Sequence, residues 1–229
     1  MNQKPEVLVV DYGSQTTQLI LRRIREFGVY CEVISAKKTA ADILKIGPSA
    51  LILSGGPSSA FEDNSPRLDS KIFKSDIPIL GICYGMQLIC QTLGSKVRKG
   101  KVREFGKAKI RILKNNTIFK GLDNKKEYQV WMSHGDEVAD LSKKLEIIAT
   151  SNGESITAVA SKNKKYFGLQ FHPEVIHTKI GKLLLKNFIF KIAKIKTDWK
   201  IENYLENKIH SLKKTIGDDK VVCGLSGGV

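Results

Sequence analysis

Cys83 is the residue of this chain best placed for chemistry. It stands in Gly81-Ile82-Cys83-Tyr84-Gly85, between an apolar run at 77–82 and a helical run that starts near Met86 and reaches Leu93. A nucleophile on so sharp a strand-to-helix turn needs small residues two positions to either side, which accounts for Gly81 and Gly85. The first turn of the helix adds unpaired N–H groups and the positive end of its dipole, and both favour a thiolate. A lone cysteine is more commonly inert core; Cys90, seven residues on in the same helix, fits that description better than Cys83.

A thiolate that attacks a carbonyl needs a base able to protonate the leaving group. Gly168-Leu169-Gln170-Phe171-His172-Pro173-Glu174 supplies one. His172 follows an apolar strand. Positions i and i+2 of an extended segment project to one side, so Glu174 can orient one ring nitrogen while the other faces Cys83. Pro173 ends the strand between them. His177 and His210 lack such a neighbour and read as ordinary histidines. Ser54-Gly55-Gly56-Pro57, after another buried strand, brings backbone N–H groups to a ligand, and those of Gly56 and Tyr84 together would make an oxyanion hole. Taken alone, Gly-Gly-Pro is equally a plain turn.

The elements that must carry these residues read as β-α-β. Residues 6–11 form a continuous apolar run, a strand buried on both faces; an amphipathic helix with Leu19, Ile20, Ile24 and Phe27 follows, Gly28 ends it, and a strand comes at 30–34. Further buried strands fall at 50–53 and 77–82. The expected fold is therefore α/β, a mostly parallel, doubly wound, flavodoxin-like sheet with helices on both faces. From Lys96 the texture alternates between apolar and polar, which predicts an antiparallel edge. Three more strands are expected at 145–150, 156–160 and 166–171, and a closing helix at 180–194. Residues 197–216 set Trp199, Ile201, Tyr204, Leu205, Ile209, Leu212 and Ile216 on one helical face, and 221–225 predict a strand that runs into Ser226-Gly227-Gly228-Val229.

Composition bounds the reading. With 41% hydrophobic and 27% charged residues in 229, the chain is an ordinary globular domain plus an extension. It holds no apolar stretch of membrane-spanning length and no signal-peptide start, so a cytoplasmic protein is expected, without a membrane partner. The four cysteines and four histidines have neither disulfide nor zinc spacing, and no metal site is expected. The net charge is +15, and residues 96–126 carry twelve Lys or Arg against Glu104 and Asp123. Few aromatics accompany them, so a solvated basic face is favoured over a nucleic-acid site.

Taken together, Cys83-Tyr84-Gly85-Met86-Gln87, Ser54-Gly55-Gly56-Pro57 and His172-Pro173-Glu174 resemble the class I, or triad-type, glutamine amidotransferases. Asp11-Tyr12-Gly13-Ser14-Gln15, Trp131-Met132-Ser133-His134-Gly135-Asp136 and Gln170 to Thr178 are similar to the GMP synthetase branch of that class. Leu225 to Val229 looks like the opening of the pyrophosphatase loop of the same enzymes.

The resemblance implies residues 1–196 as the amidotransferase domain, and 197–229 as a linker helix with the first strand of a truncated ATP-pyrophosphatase (synthetase) domain. It implies that Cys83, His172 and Glu174 hydrolyse glutamine to glutamate and ammonia, that Gly56 and Tyr84 hold the oxyanion, and that Gln87, Ser133 and Asp136 surround the substrate. Ser226, Gly227 and Gly228 would begin an ATP loop. Hydrolysis itself would need no cofactor. ATP and Mg2+ belong to the missing synthetase domain, which would adenylate XMP and aminate it to GMP, the full-length enzyme being a homodimer. Two rivals remain: an amidotransferase serving another acceptor, and a non-catalytic regulatory module of the same fold.

Overall fold

The computed structural model describes residues 4–151, 155–196, 199 and 201–224. The chain divides into two units, 1–197 and 198–229.

Among the described residues, the larger unit is an α/β structure built on one mixed sheet of nine strands. Its first half is parallel: β1 (Val7–Asp11) lies between β2 (Cys31–Ser35) and β3 (Ala50–Leu53), and β4 (Ile79–Ile82) and β9 (Tyr166–Leu169) follow β3. Every residue of β3, β4 and β9 is buried, as a strand covered on both faces requires. Successive residues of β1 feed two cores. Val7 and Val9 join Ile20 and Ile24 of α1 (Thr17–Arg25), whereas Leu8 and Val10 join Ile43 of α2 (Ala40–Ile46) and Ile89 of α3 (Tyr84–Thr92).

The second half is antiparallel, and it is larger than the edge expected from the sequence. Four pairings are parallel and four are antiparallel, in the order β9-β8-β7-β5-β6. The sheet is therefore evenly mixed, not mostly parallel. The difference lies in β5 (Lys96–Ile112) and β6 (Glu127–Asp140), strands of 17 and 14 residues that pair along most of their length. β7 (Leu145–Ser151) and β8 (Ile156–Ser161) join this hairpin to the parallel half.

The basic run on and just after β5 meets carboxylates: Arg98 pairs with Glu137 at 2.9 Å, Lys114 with Glu146 at 3.0 Å and Arg111 with Glu127 at 3.4 Å. These exposed pairs add little stability, but they answer the local charge.

Two further differences concern the C-terminal part. The expected helix at 180–194 is α4 (Gly181–Lys186) continued by a π-helical turn, Asn187–Ile192, where the Ala193 N–H reaches the Phe188 carbonyl at 2.8 Å. In the smaller unit α5 (Ile201–Ile216) forms as expected. Residues 221–224, expected as strand, are not one: Val222 is 97% exposed. A strand needs a neighbour for its backbone groups, and this segment pairs with none of the described strands. Ser226, Gly227 and Gly228 lie outside the described residues. Among the described residues no helix is long and apolar enough to cross a membrane.

Candidate active site

The site lies outside the carboxyl ends of β3, β4 and β9, where open α/β sheets hold their ligands. Cys83 leaves β4 with φ 51° and ψ −108°, a strained conformation for a residue with a side chain. Its N–H donates to the Leu169 carbonyl at 2.7 Å, and the Gly85 N–H donates to that of Ser54 at 3.1 Å, so the turn is pinned to both neighbouring strands. The glycines are steric necessities. A Cβ on Gly81 would lie 2.4 Å from the Gly85 backbone, and one on Gly85 would lie 2.3 Å from the Leu53 carbonyl oxygen.

Gly56 is confined in the same way, since a Cβ there would meet the Tyr12 carbonyl oxygen at 2.7 Å. Without a side chain, its backbone can approach the cleft closely. Tyr84 begins α3, where a backbone N–H has no partner within the helix. A side chain at Gly55 would touch His172 Cε1 at 3.1 Å and Cys83 Cβ at 3.7 Å, which locates the two reactive groups against one loop.

His172 Nδ1 lies 2.7 Å from Glu174 Oε1, and the Cys83 thiol stands beside the ring, against the same Gly55 loop. Glu174 is fully buried. Its Oε1 also accepts from Thr16 Oγ1 at 2.6 Å, its carbonyl accepts from Arg23 Nε at 3.1 Å, and its buried Oε2 has no hydrogen-bond partner among the described residues. The imidazolium of His172 is thus the charge that compensates this carboxylate. Burial opposes charging the ring, but the neighbouring Cys83 and Glu174 outweigh it and push the His172 pKa up to about 10. The His172 backbone is held too, its N–H by the Trp131 carbonyl at 3.0 Å and its C=O by the Thr178 hydroxyl at 2.6 Å.

A cleft of about 490 Å³ opens on this group. It is lined by Gly56, Tyr84, Gln87, Ser133 and Asp136, so the residues singled out in the sequence meet around Cys83. Gln87 is buried, and its amide reaches the Asp136 carbonyl and Gln170 Oε1, each at 3.3 Å. The Ser133 carbonyl lies 3.6 Å from Cys83 Sγ.

Several neighbours were not singled out. Thr16 follows β1, and its place beside parallel strand ends was the available signal. Gln170, whose amide lies 3.7 Å from Cys83 Sγ, stands two residues before His172 on the same side of the chain. Lys99 and Arg103 line the cleft through a hairpin pairing that no local pattern announces.

Residues 8–192 match the family model for glutamine amidotransferase class-I. Proteins named GMP synthase [glutamine-hydrolyzing] from Bacillus subtilis and Bartonella henselae are 49% and 46% identical over 223 and 224 residues. Each alignment takes in 97% of this chain, and the chain spans about 43% of the length of these curated relatives. Among solved structures, a Thermoplasma acidophilum protein described as one chain of a GMP synthase superimposes with a TM-score of 0.74 at 31% identity, covering 91% of this chain and 100% of its own. A Thermotoga maritima glutamine amidotransferase shares the fold, with a TM-score of 0.62 at 22% identity.

Proposed function

The chain belongs to the class-I glutamine amidotransferases, and from that membership we propose that it hydrolyses glutamine to glutamate and ammonia through Cys83, His172 and Glu174. The observation that carries the reading is the buried relay from Glu174 through the His172 ring to a thiol at the floor of an open cleft.

The geometry supports the following chemistry. The Cys83 thiolate attacks the carboxamide carbon of glutamine, and the N–H groups of Gly56 and Tyr84 bind the oxygen as it becomes negative. The His172 imidazolium gives its proton to the amide nitrogen, ammonia departs, and a γ-glutamyl thioester remains on Cys83. The ring is now neutral and takes a proton from water, whose oxygen attacks the thioester. Glutamate leaves, and the thiolate and imidazolium are restored. Glu174 stays ionised throughout and holds the ring's orientation. Asp136 suits the α-ammonium group of the substrate, and Lys99 and Arg103 on the same cleft suit its α-carboxylate. Gln87 and Ser133 complete the wall.

For the whole protein, we propose that this ammonia serves amination of XMP to GMP by a synthetase domain. That domain would bring the ATP and Mg2+ requirement, of which Ser226, Gly227 and Gly228 would be the first part. A homodimeric, cytoplasmic enzyme is the corresponding assembly. The relatives' names support this reading. For the fold we infer the doubly wound type with helices on both faces, supported by the strand order β2-β1-β3-β4 and by the two separate cores.

The test is glutamate release by this chain, measured with and without an added synthetase domain holding XMP and ATP. Glutamate without GMP is expected from the chain alone, and GMP from the reconstituted pair. A wild-type chain that releases no glutamate in either case would refute the reading.

A further inference from the structure

Resting on that reading of the cleft as a glutamine site, we propose that His134 is a positioning residue that clamps the Asp136 backbone to the long hairpin and thereby sets affinity for glutamine. The need for a clamp comes from the strand register. Lys99 of β5 stands opposite Asp136 of β6, and the next pair is Glu104 opposite His134. Residues 100–103 thus face Gly135 alone, and the backbone ladder is interrupted at the cleft wall.

Side chains bridge the gap. His134 Nε2 lies 3.2 Å from Glu104 Oε2, and Nδ1 lies 2.9 Å from the Asp136 carbonyl oxygen. The Asp136 carbonyl can only accept, so the ring donates to it from Nδ1. The Ser151 hydroxyl from β7 holds the other Glu104 oxygen at 3.1 Å. The hydrogen bond from His134 keeps the Glu104 carboxyl below the usual range; burial opposes this and the Ser151 hydroxyl assists.

The clamp reaches the chemistry in one direction. The Asp136 carbonyl also accepts from Gln87 Nε2 at 3.3 Å, Gln87 contacts Gln170 Oε1 at 3.3 Å, and Gln170 Nε2 contacts Cys83 Sγ at 3.7 Å. His134 lines the cleft at only 9% exposure, and the effect proposed for it passes through Asp136.

Two substitutions separate the two arms of the ring. In His134→Asn the amide nitrogen takes the place of Nδ1 and keeps the tie to Asp136; in His134→Gln it takes the place of Nε2 and keeps only the tie to Glu104. Steady-state glutaminase kinetics of the full chain should give His134→Gln a KM at least about tenfold above that of His134→Asn, with kcat values within about threefold of each other. Equal KM values, the reverse order, or a difference confined to kcat would overturn the proposal. If neither variant folds, Glu104→Leu carries the test: a KM raised about fivefold supports the clamp, and an unchanged KM overturns it. A wild type inactive both with and without the added synthetase domain would instead defeat the glutamine reading, before any variant is compared.

Discussion

Glu174 Oε1 lies 2.7 Å from His172 Nδ1 across a single proline, and the carboxylate is fully removed from solvent. A buried carboxylate this close fixes which ring nitrogen turns towards Cys83 and favours the charged ring. Replacing it with the neutral isostere, Glu174→Gln, should preserve the fold and lower kcat by about 100- to 10,000-fold in the glutaminase assay. A loss of less than threefold would remove Glu174 from the relay.

Thr16 donates to that same oxygen at 2.6 Å. Thr16→Val keeps the shape and removes one neutral-donor hydrogen bond to a charged acceptor, a loss of about 2 kcal/mol. A fall in kcat of roughly tenfold is expected with KM for glutamine little changed, and the split between the two constants checks it.

The raised His172 pKa gives a pH signature. At neutral pH the ring already carries the proton that the leaving ammonia needs. The alkaline limb of kcat/KM should therefore fall with a midpoint near 10, not near the ordinary histidine value of 6.5. The sign for stability is the same. A pKa raised on folding stabilises fully below 6.5 and loses that contribution as pH rises through about 10. Urea midpoints across this range, compared between wild type and His172→Asn, should diverge least at the alkaline end.

The steric reading of the elbow is open to direct test. Gly85→Ala places a methyl 2.3 Å from the Leu53 carbonyl oxygen and should cost about 3 kcal/mol of stability, read from chemical denaturation. Gly224→Ala meets nothing within 4 Å and should change stability by less than about 0.5 kcal/mol.

The strand-to-helix elbow was legible because it joins two strong local signals, an apolar run and a glycine spacing, around one cysteine. The contact of His172 with Glu174 was legible from their spacing across one proline, although the chain bends at 173–175 instead of running extended. The parallel strands announced themselves by unbroken apolar runs such as Val7 to Val10. The alternation from Lys96 announced antiparallel strands, but the length of β5 and β6 and their weight in the sheet depend on partners distant in sequence. For the same reason Lys99, Arg103 and the Glu104–His134 pair were hidden: register, not local pattern, brings them to the cleft. The short helix α2 escaped notice although Thr39 and Asp42 form its capping box, a signal readable from their spacing. Residues 221–224 failed in the opposite sense, since Val221 and Val222 have strand propensity and no described strand to pair with.

The most direct measurement is acid quenching of the wild-type chain during turnover of labelled glutamine, followed by mass mapping of the peptide that carries Cys83. The account predicts a γ-glutamyl group on that cysteine, absent in Cys83→Ala, which should also lose at least about a thousandfold in glutamate release. Label on another residue, or undiminished glutamate release by Cys83→Ala, would contradict it.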